Sequence, residues 1–118
     1  MRLNLDLLRE ILKDVADHDG AYDLSCNNLV YDDLPRNLIN YHIHLLVNEG
    51  YLKAIDASDK GGYDYLAIEL TMRGQLFLEK IERSTVWNKT KEMISNGASV
   101  TTIASIEALA VQVIQNFF

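Results

Sequence analysis

The sequence predicts an α+β fold, and three observations predict it. Apolar residues recur at helical spacing near the start of the chain. A second helical stretch stops at a glycine and runs straight into a two-stranded hairpin pattern, and further amphipathic helices follow. The order is helix, extended segment, helix, hairpin, then helices. That is the order of a winged-helix-like domain, with the pre-hairpin helix as its recognition-type helix, the hairpin as its two-stranded wing, and additional C-terminal helices.

Each element has its own warrant. Asn4 can cap a first helix whose apolar stripe is Leu5, Leu8, Ile11, Leu12 and Val15, and Asp19-Gly20 closes it. Residues 21–31 show no helical period and contain an Asn pair, so they read as an extended segment with room for a short strand. Asp32 and Asp33 ahead of Pro35 read as a helix start, since acids favour a helix N-terminus and proline is tolerated in the first turn. That helix runs over 35–48, with Gly50 as its stop. Strands follow over 51–56 and 63–70, joined by the turn Ser58-Asp59-Lys60-Gly61-Gly62. Thr71 caps a third helix on which Gly74, Phe77, Leu78 and Ile81 share a face, and Gly74 permits close approach of a neighbour. Ser84 caps a continuation carrying Val86, Trp87, Thr90, Met93 and Ile94, which ends at Asn96-Gly97, and a last helix occupies 101–116.

The chain of 118 residues suits one domain, 1–118, with a C-terminal helical extension from about 84 to 118. Hydrophobic residues make up 48% and charged residues 24%, the balance of an ordinary globular protein. The single Cys26 has no partner for an internal disulfide and no zinc-type spacing, so it reads as a small buried hydrophobe. The acids near the N-terminus interrupt any signal-peptide core, and Thr101, Thr102, Ser105, Gln112 and Gln115 interrupt the last apolar stretch. A location in the cytoplasm is the expectation, with no membrane span. Net charge is −6, which disfavours unspecific attraction to nucleic acid. The charge is uneven, however: residues 14–33 hold six Asp and no Lys or Arg, while 71–92 hold five basic residues against three acidic ones.

Tyr41-His42-Ile43-His44-Leu45-Leu46-Val47-Asn48-Glu49-Gly50-Tyr51-Leu52 looks like the helix-to-wing junction of many winged-helix regulators. Leu70-Thr71-Met72-Arg73-Gly74-Gln75-Leu76-Phe77-Leu78 resembles the start of the helix after their wing. With Trp87-Asn88-Lys89-Thr90-Lys91 added, nearly the whole chain is similar to the YjcQ-like group of small proteins from bacterial chromosomes, prophages and phages. The resemblance implies the fold and a phage or prophage setting. It implies no reaction and carries over no functional residue. One departure stands out: between the first helix and residue 35 there is no convincing second helix, which leaves the helix-turn-helix degenerate.

The residues offer no framed catalytic set, no cofactor motif and no metal site. Cys26, His42 and Asp32 lack a nucleophile motif around them. His42 and His44 point about 200° apart on a helix and cannot chelate one ion. His42 falls on the core side beside Leu38, Leu45 and Leu46, where a hydrogen-bonded core histidine is expected. Gly61-Gly62 is a turn rather than a phosphate loop.

Two surfaces carry the functional expectations. The outer face of the recognition-type helix presents Arg36, Asn37, Asn40, Tyr41, His44 and Asn48 with no acid among them, a face able to meet a protein or to read base edges. The wing has Lys53 and Lys60 but also Asp56, Asp59 and Asp64, a poor phosphate clamp. On the last helix Ile103, Ile106, Ala110, Val113, Ile114 and Phe117 form a stripe, and Leu109 and Val111 widen it beyond what one docking face needs. Burial in the core and a shared dimer interface are equally open for it. The expected function is a non-enzymatic binding module, an accessory or regulatory phage or prophage protein that contacts a protein partner or its own copy as a homodimer. A DNA-binding transcriptional regulator is the alternative, and no small-molecule substrate is expected.

Overall fold

The computed structural model describes residues 2–20 and 23–118, and its first helix, α1 (Leu5–Asp17), begins where the sequence places it. The Asn4 side-chain oxygen accepts the Leu7 N–H at 3.1 Å, satisfying one of the free donors of the first turn. Leu7, Leu8, Ile11, Leu12 and Val15 face inward, each contributing about 1.5–3 kcal/mol by leaving water. At the outer edge, Trp87 Nε1 and Lys91 Nζ both donate to the Asp6 carboxylate at 2.9 Å. The hydrogen bond from Lys91, then that from Trp87, holds the Asp6 carboxyl below the usual carboxylate range.

Between α1 and the next helix the described residues form one 3-10 turn, Cys26–Asn28, where a helix-turn-helix would have its first helix. Ala21 and Tyr22 of the expected extended segment lie outside the described residues. The strand expected here is reduced to a single rung, in which the Ile68 N–H donates to the Leu24 carbonyl at 2.9 Å.

The second helix, α2 (Arg36–Asn48), starts later than Asp32 and Asp33 suggest. Pro35 is its N-cap, no side chain caps it, and no acid lies in its first turn. The two acids instead occupy a β-turn closed by the Leu34 N–H on the Tyr31 carbonyl at 3.2 Å. Asp33 sits there at φ 67°, a left-handed conformation that Asp tolerates. A residue before proline is pushed out of the helical region, so the turn cannot merge into α2.

Strands β1 (Leu52–Asp56) and β2 (Tyr65–Leu70) pair antiparallel, with Leu52 opposite Leu70 and Ile55 opposite Leu66. The register slips between Lys53 and Ile55, and Ala67 stands at φ 52°. This bulge explains a burial pattern that strict alternation forbids: Tyr65 and Ile68 are three residues apart, yet both are buried.

The junction into α3 (Met72–Ile81) gives the Leu70-Thr71-Met72-Arg73-Gly74 motif a physical meaning. Thr71 Oγ1 accepts the Gly74 N–H at 3.0 Å and donates its own proton to the Gly50 carbonyl at 2.7 Å. A Cβ on Gly74 would stand 2.1 Å from the Tyr51 carbonyl oxygen, so only glycine lets the helix lie this close to the start of the wing.

Ser84 is the first residue of α4 (Ser84–Ser95) rather than its cap; Arg83 takes the cap position and makes no side-chain bond there. The helix break is held from outside, because the Arg9 guanidinium donates to the Ile81 and Glu82 carbonyls. The last helix, α5 (Ile103–Phe117), opens with Thr102 and Ser105 capping each other's backbone. Its first turn also donates two N–H groups, from Ile103 at 3.0 Å and Ala104 at 3.3 Å, to the carboxylate of Glu49 at the end of α2. Ile103, Ile106 and Ala110 join one hydrophobic core with α1, α2, the hairpin, Phe77 and Trp87. Among the described residues no helix is long and apolar enough to cross a membrane.

Candidate functional site

The outer face of α2 is only partly open, because the hairpin folds back across it. Asn37 and Asn48 are exposed, whereas Arg36, Asn40, Tyr41 and His44 are half-buried. One Arg36 terminal nitrogen donates to the Cys26 carbonyl (2.6 Å), the Leu29 carbonyl (2.9 Å) and the Asn40 side-chain oxygen (3.3 Å). These carbonyls line the 3-10 turn, so the guanidinium substitutes for the contacts a full second helix would make. Asn40 Nδ2 donates to the Tyr63 carbonyl at 3.0 Å. His44 stacks on the Tyr63 ring, 3.9 Å between centroids and 10° from parallel, while its Nδ1 lies 2.7 Å from the Tyr65 hydroxyl. Tyr41 lies 6.3 Å from Tyr63.

Of the six α2 residues, Arg36, Asn37 and Asn40 line one cleft with the hairpin tip and Tyr41 and His44 lie near Tyr63, while the sequence reading missed the residues that join them. Tyr63, Asp59, Asp64 and the Gly61-Gly62 turn come across from the hairpin, and Asn27 comes from the 3-10 turn. The signal was present in Tyr63 and Tyr65, two apart where the sequence predicts a strand and so expected on one face, directly after two glycines, although β2 itself begins at Tyr65. The consequence for charge is direct. A face free of acids in sequence acquires the hairpin carboxylates in three dimensions.

His42 faces the opposite way, completely buried. Its Nε2 accepts the Asn4 N–H at 2.8 Å and its Nδ1 lies 2.8 Å from the Leu38 carbonyl, so the ring is neutral with the proton on Nδ1. Burial pushes its pKa below the ordinary value. Both nitrogens are taken by backbone groups, and burial pushes the Cys26 thiol up, so the two form no nucleophile–base pair.

The stripe on α5 is corrected in large part. Ile103, Ile106, Ala110 and Val113 are each 0–1% exposed within the single chain and are core residues. The arc looked too wide because α5 docks on two neighbours at once, α3 and α4, rather than on one surface. Ile114 is half-buried and Phe117 exposed, leaving these two of the six at the surface. The Lys89 ammonium lies 4.5 Å from the Phe117 ring and the Arg83 guanidinium 5.6 Å from that of Phe118, which draws both rings toward the N-terminal half of α4. The one charge on α5 is structural too. Glu107 accepts from the Tyr51 hydroxyl at 2.8 Å and pairs with Lys80 at 3.1 Å. Burial, then the Glu107 carboxylate, pushes Tyr51 up to about 12, so the phenol stays protonated.

Fold and site together define a small α+β protein of winged-helix-like arrangement, with extra C-terminal helices and a recognition-type helix partly covered by its own wing. The chain belongs to the family described as "Hypothetical protein (DUF2513)", which matches residues 2–101. The chain is also 30% identical over 117 residues to an "Uncharacterized protein" of Haemophilus influenzae, covering 97% of this chain and 96% of that one. No solved structure matches it.

Proposed function

We propose that this protein is a non-enzymatic binding module that works through protein–protein contact at the face shared by α2 and the hairpin. The engagement of Arg36 carries the reading. A phosphate-reading helix needs uncommitted positive charge, and the guanidinium here already donates to two backbone carbonyls and Asn40. The hairpin then adds Asp59 and Asp64 to the same face. The resemblance to the YjcQ-like group supports an accessory or regulatory role in a phage or prophage, inside the bacterial cytoplasm. DNA binding is the second reading, favoured by the exposed Asn37 and Asn48, whose amides can pair with adenine edges.

A photo-reactive amino acid in place of Asn37, irradiated in the native host cell, separates the two. A protein adduct that disappears when the reactive residue is moved to Asp17 on α1 supports the proposal. A nucleic-acid adduct overturns it, as does tight duplex binding at ~50 mM salt that weakens steeply by ~200 mM.

A further inference from the structure

The two outer edges of the hairpin differ. Along an antiparallel ladder, hydrogen-bonded and open residue pairs alternate. The Thr71 N–H donates to the Tyr51 carbonyl and the Ala57 N–H to the Asp64 carbonyl, so the odd-numbered residues of β1 bond to β2. The backbone groups of Leu52, Ala54 and Asp56 therefore point away from β2, to the free edge of β1. The far edge of β2 is already met by another segment, since the Ile68 N–H donates to the Leu24 carbonyl at 2.9 Å. Among the described residues no backbone group pairs with the edge of β1.

The face beside that edge is shaped as well. The register slip sets Ala67 and Ile68 together against Ala54, with Ala67 in its left-handed conformation. A hollow of about 220 Å³ opens there, lined by Lys53, Ala54, Ile55, Ala67 and Glu69. Pockets for drug-sized ligands begin at roughly 300 Å³, so this one suits a single side chain. Ile55 and Leu66 stand directly opposite each other and are 63% and 45% exposed, an apolar pair left in water. Lys53 is exposed too and meets Glu69 at 3.7 Å.

We infer that the edge of β1 receives an extended segment of a partner polypeptide as a further strand of the wing. That segment places an apolar side chain beside Ile55, at the hollow, and an acid two residues away beside Lys53. Alternate N–H and C=O groups along an open edge are matched by an extended backbone, which supplies the same groups at the same spacing. Residues two apart on the added strand share the outer face, so charge and apolarity at Lys53 and Ile55 choose them. A copy of β1 is a poorer occupant. The antiparallel registers open to it set Lys53, Ile55 or Ala57 opposite Lys53, and never an acid. This surface shares no lining residue with the α2 cleft, so the inference goes beyond the reading above and stands without it.

The test is a titration of the full chain with the peptide acetyl-Thr-Val-Thr-Glu-Thr-amide, followed by amide NMR. Binding with a Kd of ~1 mM or tighter is expected, with the largest shifts at Ala54, Ile55 and Asp56. A strand faces its neighbour with every second amide. N-methylation of one alternate set of peptide amides should therefore weaken binding roughly tenfold, while methylation of the other set is tolerated. Exchanging the peptide's Glu for Lys should weaken binding severalfold. Ala54→Pro removes one edge donor and leaves the β1–β2 ladder intact, so it should match the damaging methylation. If that variant does not fold, the pair of methylated peptides decides alone. No binding at ~1 mM overturns the inference, as do methylated peptides that behave alike or a Lys peptide that binds equally well. Shifts centred on Asn37 and Asn40 also overturn it and move the contact to the α2 cleft. A nucleic-acid adduct at position 37 removes the α2 reading and leaves a peptide bound at β1 in place.

Discussion

At the scale of single residues, His42 shows how much one side chain can hold. It ties the N-terminal end of α1 to the middle of α2 through two backbone groups, and the bond that Nε2 accepts from Asn4 requires the neutral ring. Its folded pKa is depressed, so below the ordinary value of 6.5 the unfolded chain binds more protons than the folded one. The stabilisation is complete above that value, is lost as pH falls through it, and levels off below the folded pKa. Chemical denaturation of the wild type and His42→Phe across roughly pH 5 to 7 checks this. The variant should be about 1–3 kcal/mol less stable at neutral pH, because the Asn4 N–H loses its acceptor, and the gap should narrow as the solution is acidified. A gap that does not change with pH would mean that His42 takes up its proton as readily in the fold as in the unfolded chain.

Among the elements, α5 separates two readings that the sequence could not. An isolated apolar helix has the same pattern whether it is enclosed by its own chain or by a copy, because periodicity reports how wide the apolar arc is and not what covers it. Replacing Ile106 or Val113 by Asp should abolish the folded far-UV and near-UV circular dichroism. An uncompensated carboxylate in that core costs more than a small domain has to spare. Phe117→Asp, at the exposed end, should cost about 1 kcal/mol or less, the worth of one cation–π contact. A folded Val113→Asp chain would return α5 to the surface. The order of helices, the wing and the Thr71–Gly74 junction were legible because caps, glycines and periods are local signals. The coverage of α2 was not: it depends on where a hairpin tip lands, and on Arg36 turning toward carbonyls of a turn that shows no pattern in the sequence. The bulge at Ala67 was hidden for a similar reason, since alanine carries no mark of a left-handed backbone.

For the molecule as a whole, the arithmetic of surface argues against a pair built on α5. A stable pair buries about 800 Å² on each partner, and with four of the six stripe residues enclosed, Ile114 and the two terminal phenylalanines offer far less. Sedimentation equilibrium at ~100 µM should return the monomer mass of 13.4 kDa, and twice that mass would restore a homodimer. The bond from Glu49 to the start of α5 has a further consequence, which concerns what counts as one unit. The family match ends at residue 101, two positions before α5 begins, while the Haemophilus relative aligns over 97% of the chain. The carboxylate of Glu49, the residue that caps the end of α2, accepts the first amides of α5, and that helix fills the same core. The piece that must fold together therefore runs past residue 101, and a cut there would pass through the middle of a solid.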